Sequence, residues 1–106
     1  MPSQHKIEQF TLAFHRVAVQ RLRERPELID MALKTLDRWA SIEEGDGHNQ
    51  RYRLAWRRML GQGAATIEAA VCTETDEAAT LRSASPLGFV LTEQERTLLR
   101  ASVVAA

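Results

Sequence analysis

The densest group of side chains able to do chemistry is the octet RYRLAWRR, where Arg51, Arg53, Arg57 and Arg58 accompany Tyr52 and Trp56. Guanidinium groups at this density suit phosphates or the carboxylates of another protein, because each presents a planar fork of donors that stays charged. On a helix, Arg53 and Arg57 stand together at i, i+4 and Arg51 and Arg58 lie close at i, i+7, while Tyr52 and Trp56 turn toward a core. A solvated face neutralised by the acids of the C-terminal half, Glu74, Asp76 and Glu77, is the competing reading.

Catalytic and metal chemistry find less support. His5, His15 and His48 have no convincing companions; His15, beside Phe14 and Arg16, reads as a half-exposed helix histidine. Glu43, Glu44, Asp46 and His48 fall in one glycine-rich turn without the spacing of a calcium loop, so a solvated turn is expected and no metal. Cys72 follows Ala69-Ala70-Val71 and reads as a buried structural thiol. There is no nucleophile elbow, no phosphate-cradling glycine loop with a following lysine, and no distinctive carboxylate pair. The expectation is a protein that is not an enzyme and needs no cofactor.

These side chains must be positioned by a small frame. A chain of 106 residues, 44% hydrophobic and 26% charged, has the composition of one ordinary globular domain. Net charge is zero, which disfavours nonspecific attraction to nucleic acid or membrane. The balance is uneven, with 11 Lys/Arg against 8 Asp/Glu in residues 1–60 and 3 against 6 in residues 61–106, hence +3 and −3. A single cysteine forbids an internal disulfide and fits a reducing compartment. The polar start MPSQHKIEQF and the lack of a long apolar run lead us to expect a cytoplasmic protein without a membrane span.

Helical periodicity dominates. Ile7, Phe10, Phe14, Val17 and Ala18 form one stripe over about 4–24, ended by Pro26. Ile29, Ala32, Leu33, Leu36, Trp39 and Ala40 form a second that closes near Ile42, with Glu27 and Asp30 in its first turn. Tyr52, Ala55, Trp56 and Met59 give a third, stopped by Gly61-Gln62-Gly63. Short helices follow over Ala64 to Val71 and from about Thr75 to Arg82. Thr92 with Glu95 makes a capping box for a last helix through Leu98 and Leu99. The expected fold is all-α, a compact bundle of five to six helices in a single domain over residues 1–106, with 1–5 frayed.

Two segments need separate treatment. The third and fourth helices have the outline of a helix-turn-helix, yet AATIEAAV offers one Glu and no Arg, Lys, Asn or Gln to read base edges. Any contact with DNA would fall to the arginine face and its phosphates. The loop from Ser85 to Val90 combines Pro86 with Leu87, Phe89 and Val90; it serves either to dock the last helix or to anchor a partner, and docking is favoured.

The segments HRVAVQRLRERPELID and LRSASPLGFVLTEQER, together with Trp39 and Trp56, resemble a small helical bacterial domain. In that family a His leads through Arg-Leu-Arg and Pro-Glu-Leu to a Trp, and the domain closes on Leu-Arg, Ser-Pro, a hydrophobic loop and Leu-Thr/Ser-x-x-Glu-Arg. The resemblance covers about residues 14–97. It is to antitoxin-type proteins of toxin–antitoxin modules, some of which carry a DNA-binding helix-turn-helix ahead of the domain. Nothing precedes His15 here except part of the first helix, so DNA binding is not carried over.

The resemblance implies a module that binds a partner protein and neutralises it if that partner is a toxin. The contacts expected are Arg51, Arg53, Arg57, Arg58, Pro86, Leu87 and Phe89. The runner-up is a nucleic-acid-associated regulator using the arginine face, and a homodimer is compatible with either.

Overall fold

The structure, a computed structural model, describes residues 4–42 and 49–105. Six α-helices follow one another: α1 (Gln4–Glu24), α2 (Glu27–Ile42), α3 (Gln50–Gln62), α4 (Ala64–Val71), α5 (Asp76–Ser83) and α6 (Glu93–Ala105), with a 3-10 turn at Gly88–Val90 before α6. Among the described residues there is no strand. The all-α bundle is therefore observed, with α1 beginning at Gln4 and taking His5 into its first turn.

The boundaries follow local chemistry. Arg25 N still donates to the Arg21 carbonyl at 2.8 Å, and the chain restarts as Leu28 N and Ile29 N donate to the carbonyls of Arg25 and Pro26. Pro26 thus divides α1 from α2 by stopping one helix and preceding the next. At the α3–α4 junction the second glycine carries the turn: Gly63 has φ +106° and ψ 177°, a region open in practice only to glycine. Thr75 caps α5, its hydroxyl accepting from Ala78 N at 3.1 Å. Thr92 and Glu95 form the capping box of α6: Glu95 N donates to Thr92 Oγ1 at 3.1 Å, and Thr92 N donates to Glu95 Oε1 at 2.8 Å.

Helix α1 is the spine, packed against α4, α6 and α5 and more lightly against α2, while α3 bridges α2 and α4. The core gathers Ala18, Val19 and Leu22 of α1, Leu36 of α2, Trp56 of α3, Ile67 and Val71 of α4, and Leu87 of the late loop, all essentially without solvent contact. Helix α6 contributes no fully buried residue; Leu99 leans partly buried against the core.

Two of the apolar stripes run past the packed region. Ile7 is exposed because α1 there extends beyond its buried run, which begins at Leu12. On α2 the buried positions are Leu28, Ala32 and Leu36. Trp39 and Ala40 continue their period but stand exposed, since burial on this helix ends at Leu36.

Candidate protein-binding surface

The four arginines of α3 divide between two flanks of the helix. Arg57 faces α2 and pairs with Asp37 at 2.5 Å. Arg53, on the same flank, lines a groove of about 460 Å³ with Trp39, Tyr52 and Thr80, and it is not a free cation either. Arg51 lies over the Tyr52 ring, 4.8 Å from its centre, and donates to the Tyr52 hydroxyl at 2.7 Å. Arg58 is exposed. The acids expected to cover this face do so only in part: Glu77 shares a shallow cleft with Arg51, but the ion pair to Arg57 comes from Asp37 of α2. The result is a groove in which Trp39, 37% exposed, stands beside Arg53 and Tyr52, with Ile42 of α2 and Leu54 of α3 also exposed.

The late loop has mostly turned inward. Pro86 and Leu87 are buried in their own domain, which removes them from the expected partner contacts; the apolar loop docks, as favoured. Phe89 remains 36% exposed. Ser85 Oγ accepts from Leu87 N at 3.1 Å and holds the turn. Arg96 donates to the Gly88 carbonyl and lies over the Phe14 ring at 5.5 Å, so the loop is tied to both α6 and α1.

The buried charges were not legible as such. Arg82 is only 6% exposed. Its Nη1 donates to the carbonyls of Val71 at 2.7 Å and Thr73 at 2.8 Å. These lie at and just past the C-terminus of α4, where helix carbonyls lack partners and the dipole favours a cation. Arg82 thus caps α4 from α5, with helix carbonyls in place of a carboxylate. Its place on the same face as buried Ala78, at i+4, was the available signal. Arg21 and Arg23 of α1 were also missed: Arg21 forks onto Glu95 of α6, and Arg23 onto Glu68 of α4 at 3.0 and 3.1 Å.

His15 corrects the half-exposed expectation: it is 3% exposed. Its ring packs 5.5 Å from Phe14 and 6.2 Å from Trp56. Nδ1 lies 2.7 Å from the Thr11 carbonyl. A carbonyl only accepts, so Nδ1 carries the proton of the neutral ring, and Nε2 is left buried without a partner. Burial, opposed by the Thr11 hydrogen bond and assisted by the Arg82 charge, pushes its pKa from 6.5 down to about 4.

Between those values the unfolded chain binds a proton that the folded one refuses, so stability falls as pH drops from about 6.5 to about 4. The loss over that window is about 3 kcal/mol. His15→Phe should flatten this segment of the pH profile in urea melts, because the Thr11 carbonyl keeps its helical N–H partner. An unchanged slope in the variant would show that other groups set it.

Cys72 is partly buried, and burial first, then Glu68, pushes its thiol up, away from the reactive thiolate. Glu43, Glu44, Asp46 and His48 lie outside the described residues. Among those described, no three His, Cys, Asp or Glu side chains gather as metal ligands, and no helix is long and apolar enough to cross a membrane. Helix α4 buries Ile67 and Val71 and commits Glu68 to Arg23, so the Thr66 hydroxyl is the one side-chain donor it could offer to a base edge. Comparison with known protein families, characterised proteins and solved structures yields no match.

Proposed function

We propose that this chain is a non-enzymatic protein-binding module of the antitoxin kind its sequence resembles, which holds a partner toxin through the α2–α3 face. The observation that carries the proposal is the exposed Trp39 beside Arg53 and Tyr52 in one groove. Trp, Tyr and Arg are the residues most enriched among those that dominate binding energy between proteins. Ile42 and Leu54 add exposed apolar area to the same pair of helices. A nucleic-acid backbone would draw on the arginines, and Arg57 is already engaged by Asp37; the exposed aliphatic Ile42 and Leu54 favour protein.

The test is co-expression with the product of the adjacent gene in cells whose growth that product inhibits. Rescue of growth and co-purification of the two chains are expected. Trp39→Ala combined with Arg57→Ala should weaken the complex by at least about tenfold with only a small shift of the melting curve, since an exposed ion pair such as Arg57–Asp37 contributes little to stability. Absence of both rescue and complex would reject the proposal. Binding to DNA that falls steeply with salt and vanishes in Arg53→Glu/Arg57→Glu would replace it with the nucleic-acid reading.

A further inference from the structure

A second surface lies on different helices. The first turns of α1 and the last turns of α6 enclose a groove of about 540 Å³ whose floor is Ile7, Phe10, Val103 and Val104. Its rim carries Lys6 and Arg100, and among the described residues no acidic side chain lines it. Both cations are held in place: Arg100 lies over the Phe10 ring at 4.8 Å, and Lys6 Nζ donates to the Val103 carbonyl at 3.3 Å. Val104 is 64% exposed and Leu98, also on α6, is similarly open.

An apolar channel between two helices, with positive charge on its edges, fits an object with a ridge of apolar residues and carboxylates beside it. We propose that the α1–α6 groove docks an acidic amphipathic helix of a partner protein, apolar ridge on Ile7, Phe10, Val103 and Val104, carboxylates against Lys6 and Arg100.

The charge pattern argues against a second copy of this chain. A two-fold axis through the groove would set Lys6 and Arg100 against themselves, and like charges brought together oppose association. The acids at the start of α5, Asp76 and Glu77, have no large exposed apolar residue beside them to insert, and at the start of α6 Glu95 is committed to Arg21. Helix α2 has both acids and exposed Met31, Trp39 and Ile42, but placing it in another copy's groove makes a head-to-tail contact, which would appear as rings or open chains of copies and not as a two-fold dimer. The concave shape favours a ridge over the plane of a membrane surface.

The probes are two synthetic helical peptides with the same leucine ridge, one flanked by glutamates and the other by lysines, followed by fluorescence anisotropy. The glutamate peptide is expected to bind at least about tenfold more tightly, with affinity falling as salt rises. Val104→Asp should reduce its binding at least about tenfold, and Arg100→Glu should reverse the preference between the peptides. Circular dichroism of both variants should match the parent, since neither residue is buried.

Equal affinity for the two peptides, no binding, or indifference to Val104→Asp would overturn the proposal. So would self-association abolished by Val104→Asp, or capture by phosphatidylglycerol vesicles in preference to the peptide. Because Trp39 and Arg57 lie on other helices, loss of one surface leaves the other intact and the two failures can be told apart.

Discussion

Truncating Trp56 to alanine is expected to remove about 3–5 kcal/mol of stability. A domain of this size has only about 5–15 kcal/mol in total, so the variant should melt close to ambient temperature or fail to fold. The reasons are geometric. Trp56 is the largest fully buried side chain and stands where α3 meets α1, its ring against His15. Its Nε1 donates to the Leu81 carbonyl at 2.9 Å, joining α3 to the end of α5. Trp56→Phe separates the contributions. The Leu81 carbonyl also accepts from Ala84 N at 3.2 Å, so losing the indole donor leaves no orphan. The phenylalanine variant should therefore cost less than half as much in a urea melt. A loss under about 1 kcal/mol for Trp56→Ala would mean that the site collapses freely and that the core is not organised around this ring.

Arg82→Met is expected to cost about 3 kcal/mol, although methionine keeps the apolar stem. The loss comes from two charge-assisted bonds, to Val71 and Thr73, and the buried Val71 carbonyl is then left without that donor. Arg82→Lys should lose less, since an ammonium can still satisfy part of the α4 terminus, whereas Arg82→Glu should prevent folding by placing an anion against helix carbonyls. One readout distinguishes the charge from the packing. The Arg82 charge helps hold the His15 pKa down, so removing it should raise the lower edge of the acid-sensitive window and reduce the stability lost across it, and a cavity alone would not.

The helices were legible because their signals are local. Pro26, Gly63, Thr75 and the Thr92–Glu95 pair each act within a few residues of themselves, and each sits where spacing places it. The apolar period also identified the centre of each buried face, as at Leu36 and Trp56. It failed at Ile7 and Trp39 for a shared reason: periodicity tells which side of a helix is apolar but not how far along the helix a neighbour closes over it. The polar interior was illegible for another. Whether Arg82 is a surface charge or a buried cap depends on α4 ending beside it, a relation between segments that no spacing within α5 encodes. His15 is the same case, since its neutrality follows from burial against other helices, with Trp56 of α3 against its ring and the Arg82 charge of α5 nearby. Of the expected contact residues, the α3 arginines lie at the surface on two flanks, and Pro86 and Leu87 went into the core.

Glu95 does two jobs with one carboxylate. Its Oε1 accepts from Thr92 N, which starts α6, and the same group receives both arms of Arg21, which fastens α6 to α1; together these hold its pKa near 2. Helix start and helix attachment therefore stand or fall together. Having no fully buried residue of its own, α6 is then held by half-buried Leu99 and by Arg96 and Arg100 over the Phe14 and Phe10 rings, contacts that lie at its surface. Native-state hydrogen exchange should see the amides of α6 open as one cooperative unit, below the energy of global unfolding, instead of fraying residue by residue from Glu93.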